Sequence, residues 1–413
     1  MIKIRLNKYQ LVEYITVVLM VILTGSARLS TEERSSAAAF HAFSLALIAF
    51  LTVNITKNFK SLPKKKSILL VVIISIFYFG ISVLNYSETY KGLLLRIIWF
   101  VLIYGMCIES KQKCMRLFEK LYKVIIIISL LAIVFFVIIN FLNIPLPYVY
   151  IEHEGIRTYY REFLHIFCTA NRYHRTNVMG LSFFRLQSFF WEPGIFAIYL
   201  ALGMYYYIFF DEKRKAWKLA LFIICMIFTI STTGIIIAAL LLSIYIIKYA
   251  KVRKRQKILV ALPIGLVSII AMALVWVEKM TRTNIENGSY YIRMNDFLLG
   301  IKVIIERPIF GFGYKNYERF LMLSEQGNSN GIIIWGFTMG LLGLAIIFIP
   351  FIYVLVNEKH NRFNECIYFL LYVLFNMTEP LLTSPVMQFL LIREYCKMYE
   401  MINAKRMRES ACT

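Results

Sequence analysis

Acidic residues are scarce: 24 Asp and Glu stand against 46 Lys and Arg, a formal charge of +22. Histidine is rarer still, with five, and the seven cysteines (Cys107, Cys114, Cys168, Cys225, Cys366, Cys396, Cys412) never fall as C-x-x-C. That spacing indicates neither a zinc site nor a disulfide framework. No G-x-S-x-G or H-E-x-x-H occurs, which sets aside the common hydrolase arrangements. Charge is nearly absent from the middle of the apolar runs, with Glu13 and Arg96 close to run ends, and no internal repeat is evident. Both absences count against a transporter or flippase. The basic excess sits in short connectors rather than on a soluble domain with interleaved aromatics, so no nucleic-acid partner is expected.

What is present is apolar: 59% of the residues are hydrophobic, 16% are aromatic and the mean hydropathy is +0.66. Apolar runs fall near residues 9–25, 37–55, 67–84, 93–108, 122–142, 193–210, 219–231, 234–248, 258–276, 339–356, 366–382 and 384–396. They predict an all-α polytopic membrane protein of about 12 transmembrane helices (range about 10–12), a single membrane domain over residues 1–413. The basic start (Lys3, Arg5, Lys8) before a long first run reads as an uncleaved signal-anchor. The Lys/Arg-rich connectors TKNFKSLPKKK, ESKQKCMRLFEK, DEKRKAWK, KYAKVRKRQK and AKRMRES belong in the cytoplasm by the positive-inside rule, which places both termini there. Leu219 to Ile247 must then leave and return within 29 residues, where two full spans need roughly 40. The hairpin is therefore expected to be short, turning at Ser231–Gly234 below the outer surface, where the freed backbone groups need protein or water as partners.

Two long loops, residues 143–192 and 277–338, fall on the extracytoplasmic side. The first carries Arg157, Arg161, Arg172, Arg175 and Arg185 with His153, His165 and His174, and no lysine. Guanidinium is the better fork for phosphate and carboxylate oxygens, so the bias toward arginine suggests anion recognition. The histidines read as surface residues. In the second loop Tyr291, Phe297, Leu298, Ile301, Ile304 and Ile305 recur at helical spacing, with Arg293, Asp296, Lys302 and Glu306 elsewhere on the helix. This fits an amphipathic helix on the membrane surface. Pro308 ends it and GFGYKNY follows as a glycine-punctuated turn; a lone G-x-G with no strand before it does not make a nucleotide fold.

Several blocks resemble the O-antigen polymerase and ligase family, called Wzy-type when it polymerises. An arginine and an F-x-E-P block at the start of a span match FRLQSFFWEPGIFAIYL. A helix with an early arginine, then a proline and a G-x-G turn, is similar to IRMNDFLLGIKVIIERPIFGFGY. NSNGIIIWGFTMGLLGL looks like the family block in which a His-Asn pair begins a short helix and Gly-x-x-Gly opens the next span; TISTTGIIIAALL stands where members carry a small-residue turn, often with an arginine. In order, these cover residues 184–356. The family histidine falls on Ser329, with Asn330 retained, and Thr232 or Thr233 replaces the arginine, which lowers the ligase reading and leaves the base unassigned by the family pattern.

The resemblance implies a C-type glycosyltransferase fold in a bacterial inner membrane. It would act on undecaprenyl-pyrophosphate-linked oligosaccharide at the outer face, with a chain-length regulator and a flippase as further partners. The expected activity is a polymerase of O-antigen, capsule or exopolysaccharide; a ligase is the alternative. Transfer from a lipid pyrophosphate needs cations for the departing group and a base for the acceptor proton. Arg185 and Arg293 are the expected catalytic cations and Glu192 the base, with Glu379 in reserve. Arg157, Arg161, Arg172, Arg175, Tyr314 and Asn330 are the expected substrate-binding residues. Glu192, just before Pro193, also suits a helix N-terminus, and Arg185 an interfacial position. Neither outer loop holds a DxD or an acidic pair with metal-ligand spacing, so no metal or other cofactor is expected. Phe183, Phe184, Phe189, Phe190 and Trp191 read as an interfacial belt or sugar-stacking rings, and Tyr205 to Tyr207 as the belt at the cytoplasmic side.

Overall fold

The structure is a computed structural model. It describes residues 8–26, 44–47, 72, 74, 75, 80, 90–107, 111–142, 144–153, 156–163, 167–170, 175–178, 181–249, 289–314, 316–324, 328 and 330–412. The elements in chain order are α1 (Lys8–Gly25), α2 (Tyr90–Cys107), α3 (Lys111–Asn140), β1 (Tyr148–His153), β2 (Ile156–Phe163), β3 (Phe167–Ala170), β4 (Arg175–Val178) and β5 (Leu181–Phe184). They continue as α4 (Pro193–Phe209), α5 (Ala216–Thr229), α6 (Thr232–Tyr249), α7 (Ser289–Glu306), α8 (Glu318–Leu321), α9 (Gly331–Asn357), α10 (Arg362–Thr378) and α11 (Pro385–Cys412). Among the described residues three helices are long and apolar enough to cross a membrane: Gln112–Asn140, Thr232–Tyr249 and Gly331–Asn357. The chain is a helical membrane protein. Of the expected spans, those at 37–55, 67–84 and 258–276 lie wholly or mostly outside the described residues.

Contacts divide the chain into two compact units, each described by itself: Met1–Thr24, Ala38–Phe118 and Ile292–Thr413 form the first, Gly25–Ala37 and Glu119–Tyr291 the second. The second is built around α4, apolar on every side and buried along nearly its whole length. A helix of that kind belongs inside a bundle. Glycines let its neighbours close in: a Cβ on Gly203 would stand 2.8 Å from Phe222 of α5, and one on Gly234 of α6 2.7 Å from Ala197. Tyr205 and Tyr207 are 0% exposed and Tyr206 is buried too, which corrects the expected cytoplasmic belt. Tyr206 stacks on Tyr122 of α3, with ring centres 4.7 Å apart. By contrast Ile127, Leu130, Leu131, Val134 and Val137 form an exposed stripe on α3, spaced three and four residues apart, which suits a lipid-facing surface.

The hairpin of α5 and α6 is short, as expected, but it turns at Ile230 and Ser231, so Thr232, Thr233 and Gly234 of the expected turn already belong to α6. At about 1.5 Å per residue the 14-residue α5 is roughly 21 Å long, below the ~30 Å hydrocarbon core. Before α4 and α5 meet, Asp211 accepts from Lys218 Nζ at 2.7 Å, Tyr122 Oη at 2.8 Å and the Lys213 N–H at 3.0 Å. Burial pushes the Asp211 carboxyl up, but these donors outweigh it and hold the group below its usual range.

Strands occupy much of the loop at residues 143–192, which the all-α reading of the chain did not foresee. β1, β2 and β3 form an antiparallel sheet in that order, with Tyr150 opposite Tyr159 and Glu162 opposite Cys168. β4 and β5 form a separate hairpin. Their alternation of Tyr, Val, Ile, Thr and Phe with polar residues is the strand signal, and in the sequence a glycine separates β1 from β2 (Gly155) and β4 from β5 (Gly180).

In the first unit α7 packs through Val303, 0% exposed, with Phe297, Leu299, Ile301 and Ile304 against Phe320, Ile333 and Phe337. Two members of the expected apolar face, Leu298 and Ile305, are 59% and 70% exposed, whereas Asp296, expected on the polar side, is 1% exposed. Protein covers one side of the helix while apolar side chains project from another, so the amphipathic phase read for a surface helix is rotated. α9 breaks at Gly340 (φ 70, ψ −178), a conformation restricted to glycine. The GFG turn repairs the break. Phe312 and Gly313 N–H donate to the carbonyls of Phe337 and Thr338 at 2.8 and 2.7 Å, and Leu341 N–H donates to Pro308 O at 2.7 Å. At the far end of α9 a buried ionic cluster ties α9, α10 and α11: Arg393 grips Glu365 by two bonds of 2.9 Å and also contacts Glu394, and Lys397 bridges Glu358 at 2.7 Å and Glu365 at 3.0 Å.

Candidate functional site

The turn from Phe184 to Gly194 is braced from several directions within the second unit. Asn140, at the end of α3, accepts from Phe184 N–H at 2.7 Å and donates to its carbonyl at 3.3 Å, which fixes where β5 stops. Leu186 N–H donates to Phe228 O at 2.9 Å. Further on, Gln187 Nε2 donates to Phe190 O at 3.0 Å, Phe190 pairs with Ser26, and Trp191 N–H donates to Gly25 O at 3.1 Å. Phe190 is buried against Phe189 and Tyr199, with centroids at 4.3 and 4.7 Å. Phe184, Phe189 and Phe190 are therefore core residues, neither an interfacial belt nor open sugar-stacking rings.

Arg185 spends two guanidinium nitrogens on α5: Nε donates to Thr229 O at 2.8 Å and Nη2 to Ile230 O at 3.0 Å. Those carbonyls are among the ones a helix C-terminus leaves unbonded, and a cation there also meets the negative end of the helix dipole. Ile230 needs the help, since this β-branched residue caps α5 in the left-handed region (φ 48). The backbone groups freed by the α5–α6 turn thus find their partner in protein, and that partner is the arginine singled out for anions. Nη1 takes no part in these bonds. Burial draws Arg185 below its ordinary pKa, and the charge of nearby Glu192 opposes that.

Glu192 is exposed and occupies the N-cap of α4, followed by Pro193 at the first helical position. Its side chain makes no capping bond. The carboxylate thus acts on Arg185 through its charge, and no hydrogen bond ties it to the helix end. Ser188, between them, went unnoticed in the sequence: it is non-glycine at φ 62, wholly buried, and its Oγ has no partner among the described residues. Strain of this kind costs on the order of 1–3 kcal/mol and persists only where surroundings enforce it. Nothing in the letters FRLQSFFWEPG separates such a serine from a polar filler.

The remaining candidates are dispersed. Arg161 lies on β2, over the rings of Tyr148 and Phe184 at 5.7 and 5.2 Å. Arg157 and Arg175 lie on β2 and β4. Arg172, His165, His174 and Ser329 fall outside the described residues. Arg293 lies on α7, in the first unit, whereas Arg185 and Glu192 belong to the second. Tyr314 is buried edge-on to Trp335 at 6.3 Å, a packing position. Asn330 caps α9, its Oδ1 accepting from Ile332 and Ile333 N–H, each at 3.1 Å. Glu379 is buried at the end of α10. Comparison with protein-family models, curated proteins and solved structures finds no match to this chain.

Proposed function

We propose that the chain is a glycosyltransferase of surface-polysaccharide assembly. It would act as a polymerase, moving a growing glycan from undecaprenyl pyrophosphate onto a lipid-linked repeat unit at the outer face of a bacterial inner membrane. The observation that carries this reading is the exposed Glu192 carboxylate, which makes no capping bond to its helix and whose charge acts on the Arg185 guanidinium of the same braced turn. The acceptor hydroxyl attacks the anomeric carbon, its proton passes to Glu192, and the bond to pyrophosphate breaks with the electron pair leaving on the lipid carrier. Arg185 Nη1 and the arginines of the first outer loop meet the charge that develops on that leaving group. Arg293 is the further cation that the family resemblance implies. Because the donor is already activated as a pyrophosphate, no nucleotide sugar is needed. The short helix broken at Gly340 before the next span supports the same reading, since the resemblance calls for that sequence of elements.

The test is Glu192→Gln, which preserves shape and exposure while removing the base. With purified protein and synthetic lipid-linked repeats, chain growth is expected to fall by about 10²–10⁴-fold, the usual contribution of a general base. Carriers bearing a single repeat accumulate while thermal unfolding stays unchanged. Wild-type ladders from the variant would refute the assignment of the base. Wild-type protein that makes no ladder from repeats alone would refute the polymerase itself.

A further inference from the structure

Beyond its break at Gly340, α9 is short for a membrane span. From Leu341 to Asn357 it is about 25 Å long at roughly 1.5 Å per residue, less than the ~30 Å hydrocarbon core. The connector after Asn357 exposes Lys359, His360 and Arg362, which belong at the membrane boundary. The shortfall therefore falls at the Gly340 end, where another segment is bonded to the helix. Leu341 N–H donates to Pro308 O at 2.7 Å and Leu342 N–H to Ile309 O at 3.4 Å.

The bonded turn is apolar on its outside. Ile309 and Phe310 are 55% and 54% exposed, and so, across the shared backbone bonds, are much of Leu341 and Leu342. From Leu342 the exposed side chains continue along α9 at Ile349, Ile352 and Val356, the three- and four-residue spacing of one helix face. On a span such a stripe meets lipid, and the turn prolongs it past the break. Non-helical backbone is tolerated at membrane depth only where protein satisfies its polar groups. Here the N–H groups of Gly311, Phe312 and Gly313 donate to the carbonyls of Arg307, Phe337 and Thr338 at 3.1, 2.8 and 2.7 Å. Charge stands just before the turn: Arg307 lies over the Phe312 ring at 4.8 Å, and Arg319 grips Glu306 by bonds of 2.7 and 2.9 Å. An arginine beside an apolar surface can carry its charge out to head groups while its stem stays in hydrocarbon.

We propose that the Pro308–Phe310 turn is a wedge inserted into the leaflet at the Gly340 end of α9. Ile309 and Phe310 lie among lipid acyl chains beside Leu341 and Leu342, and Arg307 with the Glu306–Arg319 pair stays at head-group level. The partner of this surface is the bilayer, because the surface continues the lipid-facing stripe of α9 and fills the length that the helix lacks. Arg185 and Glu192 take no part in it, so the wedge stands or falls separately from glycosyl transfer.

The test places one nitroxide label on the full chain in a cysteine-free background, at Phe310→Cys or, for reference, at the exposed charged position Glu318→Cys. The labelled protein is reconstituted in phosphatidylcholine vesicles. Electron paramagnetic resonance then reads collision with oxygen, which concentrates in hydrocarbon, and with a polar nickel chelate, which stays in water. The ratio of oxygen to chelate access is expected to be several-fold higher at Phe310 than at Glu318. Chelate access at Phe310 equal to that at Glu318 puts the turn in water and overturns the proposal. Low access to both reagents shows protein covering the face and overturns it in favour of a second copy of the chain. Ile309→Cys carries the same expectations and replaces Phe310→Cys if that variant does not fold.

Discussion

Arg185 carries two duties that pull in different directions. Its Nε and Nη2 hold the carbonyls of Thr229 and Ile230, so losing the side chain removes two charge-assisted bonds from a strained helix end. Such bonds contribute about 1.5–3 kcal/mol each. Arg185→Ala is therefore expected to lower the melting temperature along with activity, with a loss of about 3 kcal/mol or more in denaturant titration. Glu192→Gln lowers activity alone, because Glu192 makes no capping bond. An Arg185→Ala protein as stable as wild type would show that the cap is not needed. The contrast between the two variants separates scaffold from chemistry. Asn330 stands on the scaffold side, since its Oδ1 is already committed to two N–H groups of α9.

Among the elements, the break in α9 is the feature most dependent on one residue. A Cβ at Gly340 would lie 2.1 Å from the carbonyl oxygen of Ile309, and one at Gly311 would meet the Thr338 backbone at 2.6 Å. Gly340→Ala joins a forbidden backbone conformation to a clash with main chain, together worth about 3 kcal/mol or more. It is expected to pull the turn at 308–313 away from α9. Hydrogen exchange reads this as lost protection at Phe312, Gly313 and Leu341, whose N–H groups bridge the two segments. Unchanged protection there would show that the turn is held by other contacts. The G-x-G of this loop thus serves a helix break and not a phosphate.

At the scale of the whole molecule the central question is which side of the membrane each end of α4 faces. Glu192 opens that helix and Lys213 follows it in the Lys/Arg-rich connector, and both residues are exposed. In a cysteine-free background, Glu192→Cys is expected to react with a membrane-impermeant maleimide added to intact cells, and Lys213→Cys only after permeabilisation. The reverse pattern would place Arg185 on the cytosolic side and remove the basis for a lipid-pyrophosphate donor at the outer face.

Hydropathy and charge were legible from the chain alone because each depends on a short window of residues meeting lipid or water. They located α1 to α6 and α9 to α11, the short hairpin and the basic connector that begins at Asp211, and they drew attention to Arg185 and Glu192, whereas ESKQKCMRLFEK and AKRMRES, expected as connectors, are helical from Lys111 in α3 and within α11. The strand signals of residues 143–192 were also present, in their alternating Tyr, Val, Ile and Thr, but were masked by the helical character of the rest. Other features had no local signal. That Tyr205 to Tyr207 are core, that Arg185 grips carbonyls 44 and 45 positions away, and that Gln388 bonds the backbone of Arg96 across 292 positions are decided by packing between distant segments. The sequence by itself determined which stretches favour lipid and which favour water, since transfer between the two is nearly a sum over residues. Only the tertiary structure decided which polar groups keep a free valence for a ligand, because a hydrogen bond is a pairwise event and its second partner lies elsewhere in the chain.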